Sequence, residues 1–255
     1  MCIIAIKPQG KKMFNDSVIK TMFIANPDGA GFMYYDPNPA LKNHVIIKKG
    51  YHTVKALLKA LHSLDLKNTT AVLHFRIGTS GLNDSLNCHP YPLYKANNVD
   101  CSAKLAVAHN GVLHAYNPPK GSKINDTQMF INEVLNKLSP DFIDDDDKLM
   151  LIHKIIGTSK LAFLDNTGKF TTIGNFISDN GYLFSNGSYL EQNLYPRVKY
   201  YTPKTKASSL PKAKAVPVKT DVSKPAERYV SDTFWNDEPS DFWDDWDIRH
   251  PSTRH

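Results

Sequence analysis

Long apolar runs are missing from this 255-residue chain. No stretch approaches the roughly 20 residues that a membrane-spanning helix needs, so no membrane partner is expected. Met1 is followed by neither a basic region nor a small-residue cleavage site, which argues against a secretory leader and makes a cytoplasmic setting the default. Cysteine is scarce. Cys2, Cys88 and Cys101 are an odd number without close pairing, which excludes a disulfide framework. Cys88, His89, Cys101 and His109 match no standard zinc-finger spacing, and no metal or other cofactor is expected. Internal repeats are lacking, and so is a basic stripe. The net charge of +6 and the pI near 9.0 come from scattered lysines with no recognition motif, so nucleic acid is not an expected partner.

What is present is a chain with enough apolar residues, 41%, for a proper core, and a change of character after Tyr201. Residues 1–201 read as one folded domain. Residues 202–228 are rich in Lys and Pro and read as a flexible linker, too polar to offset the entropy of ordering. Residues 229–255 form an acidic tail carrying Phe234, Trp235, Phe242, Trp243 and Trp246 among seven carboxylates between Asp232 and Asp247. Such a disordered tail is either a solubilising end or a docking peptide. Three tryptophans favour docking, with a basic protein surface holding apolar pockets as the receptor.

Within the domain, apolar periodicity predicts strands over 3–6, 31–35, 45–48, 71–75, 105–109, 160–164, 170–173 and 182–185. Helices are predicted over 16–25, 53–63, 126–138 and 146–156. The run "DDDDK" supplies carboxylates to the start of the last one. Many strands with few intervening helices imply an α+β domain in which helices cover stacked, mostly antiparallel sheets.

Polar islands interrupt these strands. "MCIIAI" sets Cys2 ahead of a core strand, where removal of Met1 would leave a thiol and a free α-amino group on one residue. The bland alternative is a small buried hydrophobe. "LHFRIGTSG" brings His74, Arg76 and Thr79 out of an apolar strand; "NCHP" offers His89; "AVAHNGVL" offers Asn110 and Gly111 in a turn between two strands; "INDTQ" offers Asp126 at a helix start. Singly, each has an ordinary explanation: a hairpin for Asn-Gly, a surface arginine for Arg76, a helix cap for Asp126.

Taken together and in this order, "MC", "PDGAG", "HFRIGTSG", "NCHP", "HNG" and "NDT" resemble the glutaminase domain of class II glutamine amidotransferases, within the N-terminal nucleophile hydrolases. The resemblance spans most of residues 2–190. It implies a four-layer αββα sandwich and hydrolysis of the glutamine side-chain amide, with ammonia passed to an acceptor. Cys2 would be the nucleophile and its own α-amine, with a pKa of about 7.7–8.0, the base. By the same resemblance the Asn110 amide and the Gly111 N–H would form the oxyanion hole. Arg76 presents a planar fork suited to the α-carboxylate of glutamine, Asp126 would hold the α-ammonium, and Thr79 would add a hydroxyl contact. His74 and His89 are read as supporting residues that shape the strand ends.

The chain also departs from that family. Ala25 stands where relatives often have an arginine before P-D-G, and Ile77 and Ser80 stand where many have Trp and His, which bears on closure of the cleft. The tail is too short for a synthetase, phosphoribosyl or isomerase domain, so an ammonia-accepting enzyme in trans is the expected partner. Two other readings stay open: hydrolysis of a different amide on the same fold, and a non-enzymatic binding protein acting through its acidic aromatic tail.

Overall fold

The computed structural model describes residues 1–79 and 81–191. The linker and the aromatic tail read from the sequence lie outside the described residues. In chain order the elements are β1 (Ile3–Lys7), α1 (Asp16–Ala25), β2 (Ala30–Tyr35), β3 (Val45–Tyr51), α2 (Val54–His62), β4 (Ala71–Phe75), β5 (Tyr91–Pro92) and β6 (Asp100–Ala103). These are followed by β7 (Leu105–Asn110), α3 (Asp126–Glu133), α4 (Asp146–Ile156), β8 (Lys160–Asp165), β9 (Phe170–Ile173), β10 (Ile177–Asp179) and β11 (Tyr182–Phe184). One sheet has seven strands in the order β10-β11-β1-β4-β2-β3-β6, the other four in the order β5-β7-β8-β9. Every pairing is antiparallel.

Side-chain alternation along the strands builds the layers. Ile4, Ile6, Met33, Val45, Ile47 and Val72 of the large sheet meet Ala106, Ala108, Ala162 and Leu164 of the small one. Alanines on one side let the two sheets approach where the other side is bulky. The opposite parity of the small sheet, Leu105, Val107, Leu161 and Phe163, packs against Phe130 and Ile131 of α3 and Ile152 and Ile156 of α4. On the far side of the large sheet Phe23 of α1 meets Phe75 edge-on at 6.3 Å between ring centroids. Helix, sheet, sheet and helix therefore stack as the four-layer α+β sandwich expected.

Strand and helix centres agree with the sequence reading, and the differences have local causes. Strands β5, β6 and β10 were not expected. Each is four residues or shorter, and "YP" and "DCSA" lack the β-branched alternation that announces a strand. Strand β1 runs one residue past the expected end, because Lys7 is fully buried and its Nζ donates to the carbonyls of Leu66, Lys67 and Thr69. Helix α3 stops at Glu133 and continues only as a 3-10 turn over Leu135–Lys137, which turns Leu135 fully into the core. Helix α4 starts on its acidic run as read: Asp145 is the N-cap, accepting the Lys148 N–H at 3.1 Å.

One turn assignment is overturned. Asn110 and Gly111 do not join two strands as a hairpin: β7 ends at Asn110 and the chain passes through Gly111 into a 3-10 turn over His114–Tyr116. Gly111 has φ +148°, and a β-carbon there would collide with the Ser159 side chain. The dipeptide makes a sharp exit from the sheet, which only glycine fits. Gly111→Ala is expected to cost at least about 2 kcal/mol in unfolding free energy, from strain plus overpacking; urea denaturation measures it. No helix among the described residues is long and apolar enough to cross a membrane.

Candidate active site

Strand parity also assembles the polar residues. Cys2 precedes Ile3 with the parity of Ile4 and Ile6, Arg76 follows Phe75 with the parity of Val72 and His74, and Asn110 shares the parity of Ala106 and Ala108. All four side chains, His74 included, therefore belong to the interlayer at one end of the sandwich. The register Ile3↔Phe75 brings Cys2 opposite Arg76. The Ile77 N–H donates to Cys2 Sγ at 3.2 Å. Burial pushes the Cys2 thiol up, against smaller opposing effects of the Ile77 backbone, the N-terminal charge and Arg76. At neutral pH it is a thiol in need of a base.

Cys2, Arg76, Thr79, His89, Gly111 and Asp126 line one open cleft. Six of the eight site residues expected from sequence thus share a wall, while His74 and Asn110 are buried and do not line it. Arg76, 3% exposed, donates from Nη1 to Asn83 Oδ1 at 2.7 Å. Its guanidinium lies under Gly78, where a β-carbon would sit 3.3 Å from the group. The "PDGAG" segment braces this strand end: Asp28 Oδ2 accepts the Gly78 N–H at 2.8 Å, and the Arg76 N–H donates to the Gly29 carbonyl at 2.8 Å. Arg76 is thus no surface arginine. Thr79 is exposed at the rim.

Asp126 is not the cap of its helix. Asn125 is, its side chain accepting the Gln128 N–H at 3.0 Å. Asp126, 5% exposed, accepts the Leu113 N–H at Oδ2 (2.8 Å) and the Thr127 N–H at Oδ1 (2.9 Å). It fixes the loop leaving Gly111 to the start of α3.

Three buried imidazoles cluster at the cleft, His89 and His109 on its wall and His74 behind them. His74 and His89 have ring centroids 4.3 Å apart, and His89 and His109 6.2 Å. His74 Nε2 is 3.0 Å from the His109 carbonyl, while His89 Nε2 and His109 Nδ1 lie 3.2 and 2.8 Å from Thr127 Oγ1. The other ring nitrogen of each is buried without a partner among the described residues. Burial drives His74 down to about 3, His109 to about 4 and His89 well below the usual imidazole range, so all three are neutral at physiological pH. His74 on β4 thus meets the backbone of β7 and ties the two sheets together. His109 and Thr127 were missed as site residues although both stand inside quoted motifs, "HNG" and "NDT"; nothing in the sequence says that they meet. Among the described residues no three His, Cys, Asp or Glu side chains are disposed to hold a metal ion.

No family model matches the chain. In sequence it resembles a class II glutamine amidotransferase domain, as the motifs indicate, and comparison with curated proteins agrees. It is 23% identical over 135 residues to a glutamine–fructose-6-phosphate aminotransferase (isomerizing) of Pyrococcus horikoshii, covering 53% of this chain and 21% of that protein. A protein of the same name from Methanothermobacter thermautotrophicus is 28% identical over 117 residues, 46% of this chain and 18% of its own length. The chain spans about a fifth of the curated relatives it matches. A solved structure described as the allosteric regulatory enzyme of purine biosynthesis matches 72% of this chain and 41% of its own, at 16% identity and a TM-score of 0.49.

Proposed function

We propose that this chain hydrolyses the side-chain amide of glutamine, with Cys2 as an N-terminal nucleophile. The observation that carries this reading is the meeting, in one cleft, of a half-buried thiol at the head of β1 with a fixed arginine fork and a buried carboxylate. Once Met1 is removed, the Cys2 α-amine takes the thiol proton and the thiolate attacks the amide carbon. The amine, now an ammonium, returns that proton to the departing nitrogen, ammonia leaves, and a thioester joins the substrate acyl group to Cys2. Water, deprotonated by the same amine, then releases glutamate and restores the thiol.

The tetrahedral oxyanion needs donors. Gly111 can offer its backbone N–H. Asn110 donates from Nδ2 to Ser185 Oγ at 2.8 Å and leaves its Oδ1 buried without a partner, while Ser185 Oγ also accepts the Ile4 N–H at 2.8 Å. A half-turn of the amide lets the Ser185 hydroxyl donate to Oδ1 and frees both Nδ2 protons. That arrangement satisfies the carbonyl oxygen, leaves Nδ2 unpaired in the resting site, and supplies the donor that the reaction lacks.

Arg76 and Asp126 give the site opposite charges for the two ends of an amino acid, which favours glutamine over an amide without a free backbone. Ammonia release from glutamine by the untagged full-length chain tests the reading. Arg76→Lys should raise KM about tenfold or more, with a smaller effect on kcat, because lysine keeps the charge and loses the fork. An unchanged KM would remove Arg76 from substrate binding. The ammonia acceptor is proposed to lie outside the matched stretch: the curated relatives are named for a sugar-phosphate acceptor, and the residues they share with this chain are about a fifth of each. A glutamine-dependent enzyme co-purifying with the chain would identify it; recovery of the chain alone from its native source would count against transfer in trans.

A further inference from the structure

We propose that the Thr127 hydroxyl is a positioning group that fixes the protons of the site's floor: it donates to Asp126 Oδ1 and accepts from His109 Nδ1–H and His89 Nε2–H. The inference rests on the glutaminase reading only for its effect on substrate binding. Thr127 is 1% exposed, and three groups converge on its Oγ1: His109 Nδ1 at 2.8 Å, His89 Nε2 at 3.2 Å and Asp126 Oδ1 at 3.5 Å. A hydroxyl has one proton and two lone pairs, so three neighbours leave one arrangement that satisfies all of them. An ionised carboxylate only accepts. The proton therefore goes to Asp126, and both imidazoles must donate.

The alternative sends the hydroxyl proton to His109 Nδ1. It would turn a Thr127 lone pair toward the Asp126 carboxylate and leave His109 with an N–H at Nε2, where no described residue accepts it. A buried donor without a partner is the rarer and costlier defect. The favoured arrangement has a consequence for each ring. His109 is the Nδ1–H tautomer, and His89 is the Nε2–H tautomer. His74, whose Nε2 faces the His109 carbonyl, must donate there as well. The three nitrogens left bare, His74 Nδ1, His89 Nδ1 and His109 Nε2, are the same three ring atoms that are buried without partners. Burial, which keeps all three rings neutral, supports the same picture.

Thr127 thus aims Asp126 by two bonds to one oxygen, its own N–H at 2.9 Å and its hydroxyl, and holds two imidazoles in single tautomers. Its role in substrate binding passes through Asp126.

The test uses the full-length chain with ¹⁵N-labelled histidine. Tautomers are read from long-range ¹H–¹⁵N correlations, and the His109 signals are those lost in His109→Gln. The wild-type chain should show His109 protonated at Nδ1 and bare at Nε2, and His89 the reverse. Thr127→Val, equal in shape without the hydroxyl, should release His109 into a tautomer mixture and raise KM for glutamine about tenfold while kcat falls less than threefold. Thr127→Ser should restore both. A wild-type His109 protonated at Nε2 overturns the proposal whatever the variants do, as does a Val variant that keeps both wild-type tautomers. The expected tautomers in a chain that leaves glutamine untouched would uphold the proton arrangement and overturn the glutaminase reading instead.

Discussion

Blocking the amine of Cys2 with an uncleaved N-terminal extension is expected to lower glutamine hydrolysis by about 10²–10⁴-fold, the scale of a lost general base, with every side chain still present. Cys2→Ala should go further, on the order of 10⁵–10⁶, the scale of a lost nucleophile. The two losses arise differently. Burial raises the Cys2 thiol, so the nucleophile is not stored as a thiolate and depends on a base within reach. An extension turns that base into an amide nitrogen with no basic lone pair. Removing Met1 costs the fold little, because Met1 is 81% exposed and the Asn186 side chain holds the Cys2 carbonyl at 2.6 Å. Intact-mass measurement should find Met1 absent and one adduct with an electrophilic glutamine analogue, on Cys2 and not on buried Cys88. An extended chain as fast as the native one would sink the nucleophile assignment.

Replacing Asn110 by alanine is expected to lower kcat by about 10²–10³-fold while KM for glutamine changes less than threefold. Asn110 is 4% exposed, so little of its amide faces the bound substrate before charge develops on the carbonyl oxygen. Its contribution belongs to the oxyanion that forms as the thiolate attacks. Steady-state ammonia release separates the two constants. A rise in KM with kcat intact would mean that Asn110 shapes the substrate pocket, and full activity would leave it only a bond to Ser185.

How far the sequence could be read depended on distance along the chain. The four helices follow from their apolar periodicity, and eight of the eleven strands from short apolar runs, several of which are buried on both faces. Arg76, Cys2 and Asp126 were legible because each sits in a motif whose order carries the resemblance. What escaped was pairing across long separations. Lys7 reads as the polar end of a strand, and its burial depends on three carbonyls about sixty residues away. Ser185 and Thr127 read as unremarkable polar residues, and each gains its role from a partner that only the stacking of the layers supplies. The Asn-Gly hairpin failed for a related reason. That dipeptide turns a chain in several ways, and the Ser159 side chain behind Gly111 decides which.

The parity that gathers Cys2, His74, Arg76 and Asn110 also determines which changes in chain length the protein can survive. One residue gained or lost within 71–73 would keep the strand apolar on both faces, so the domain could still fold, yet His74 and Arg76 would swing to the helix side of the sheet. The same change in the loop 36–44, between β2 and β3, leaves every register of the site untouched. Length variation among natural versions of this chain should therefore collect in such loops, and an insertion inside β4 would be a silent loss: a folded, expressed protein whose arginine points away from its cysteine.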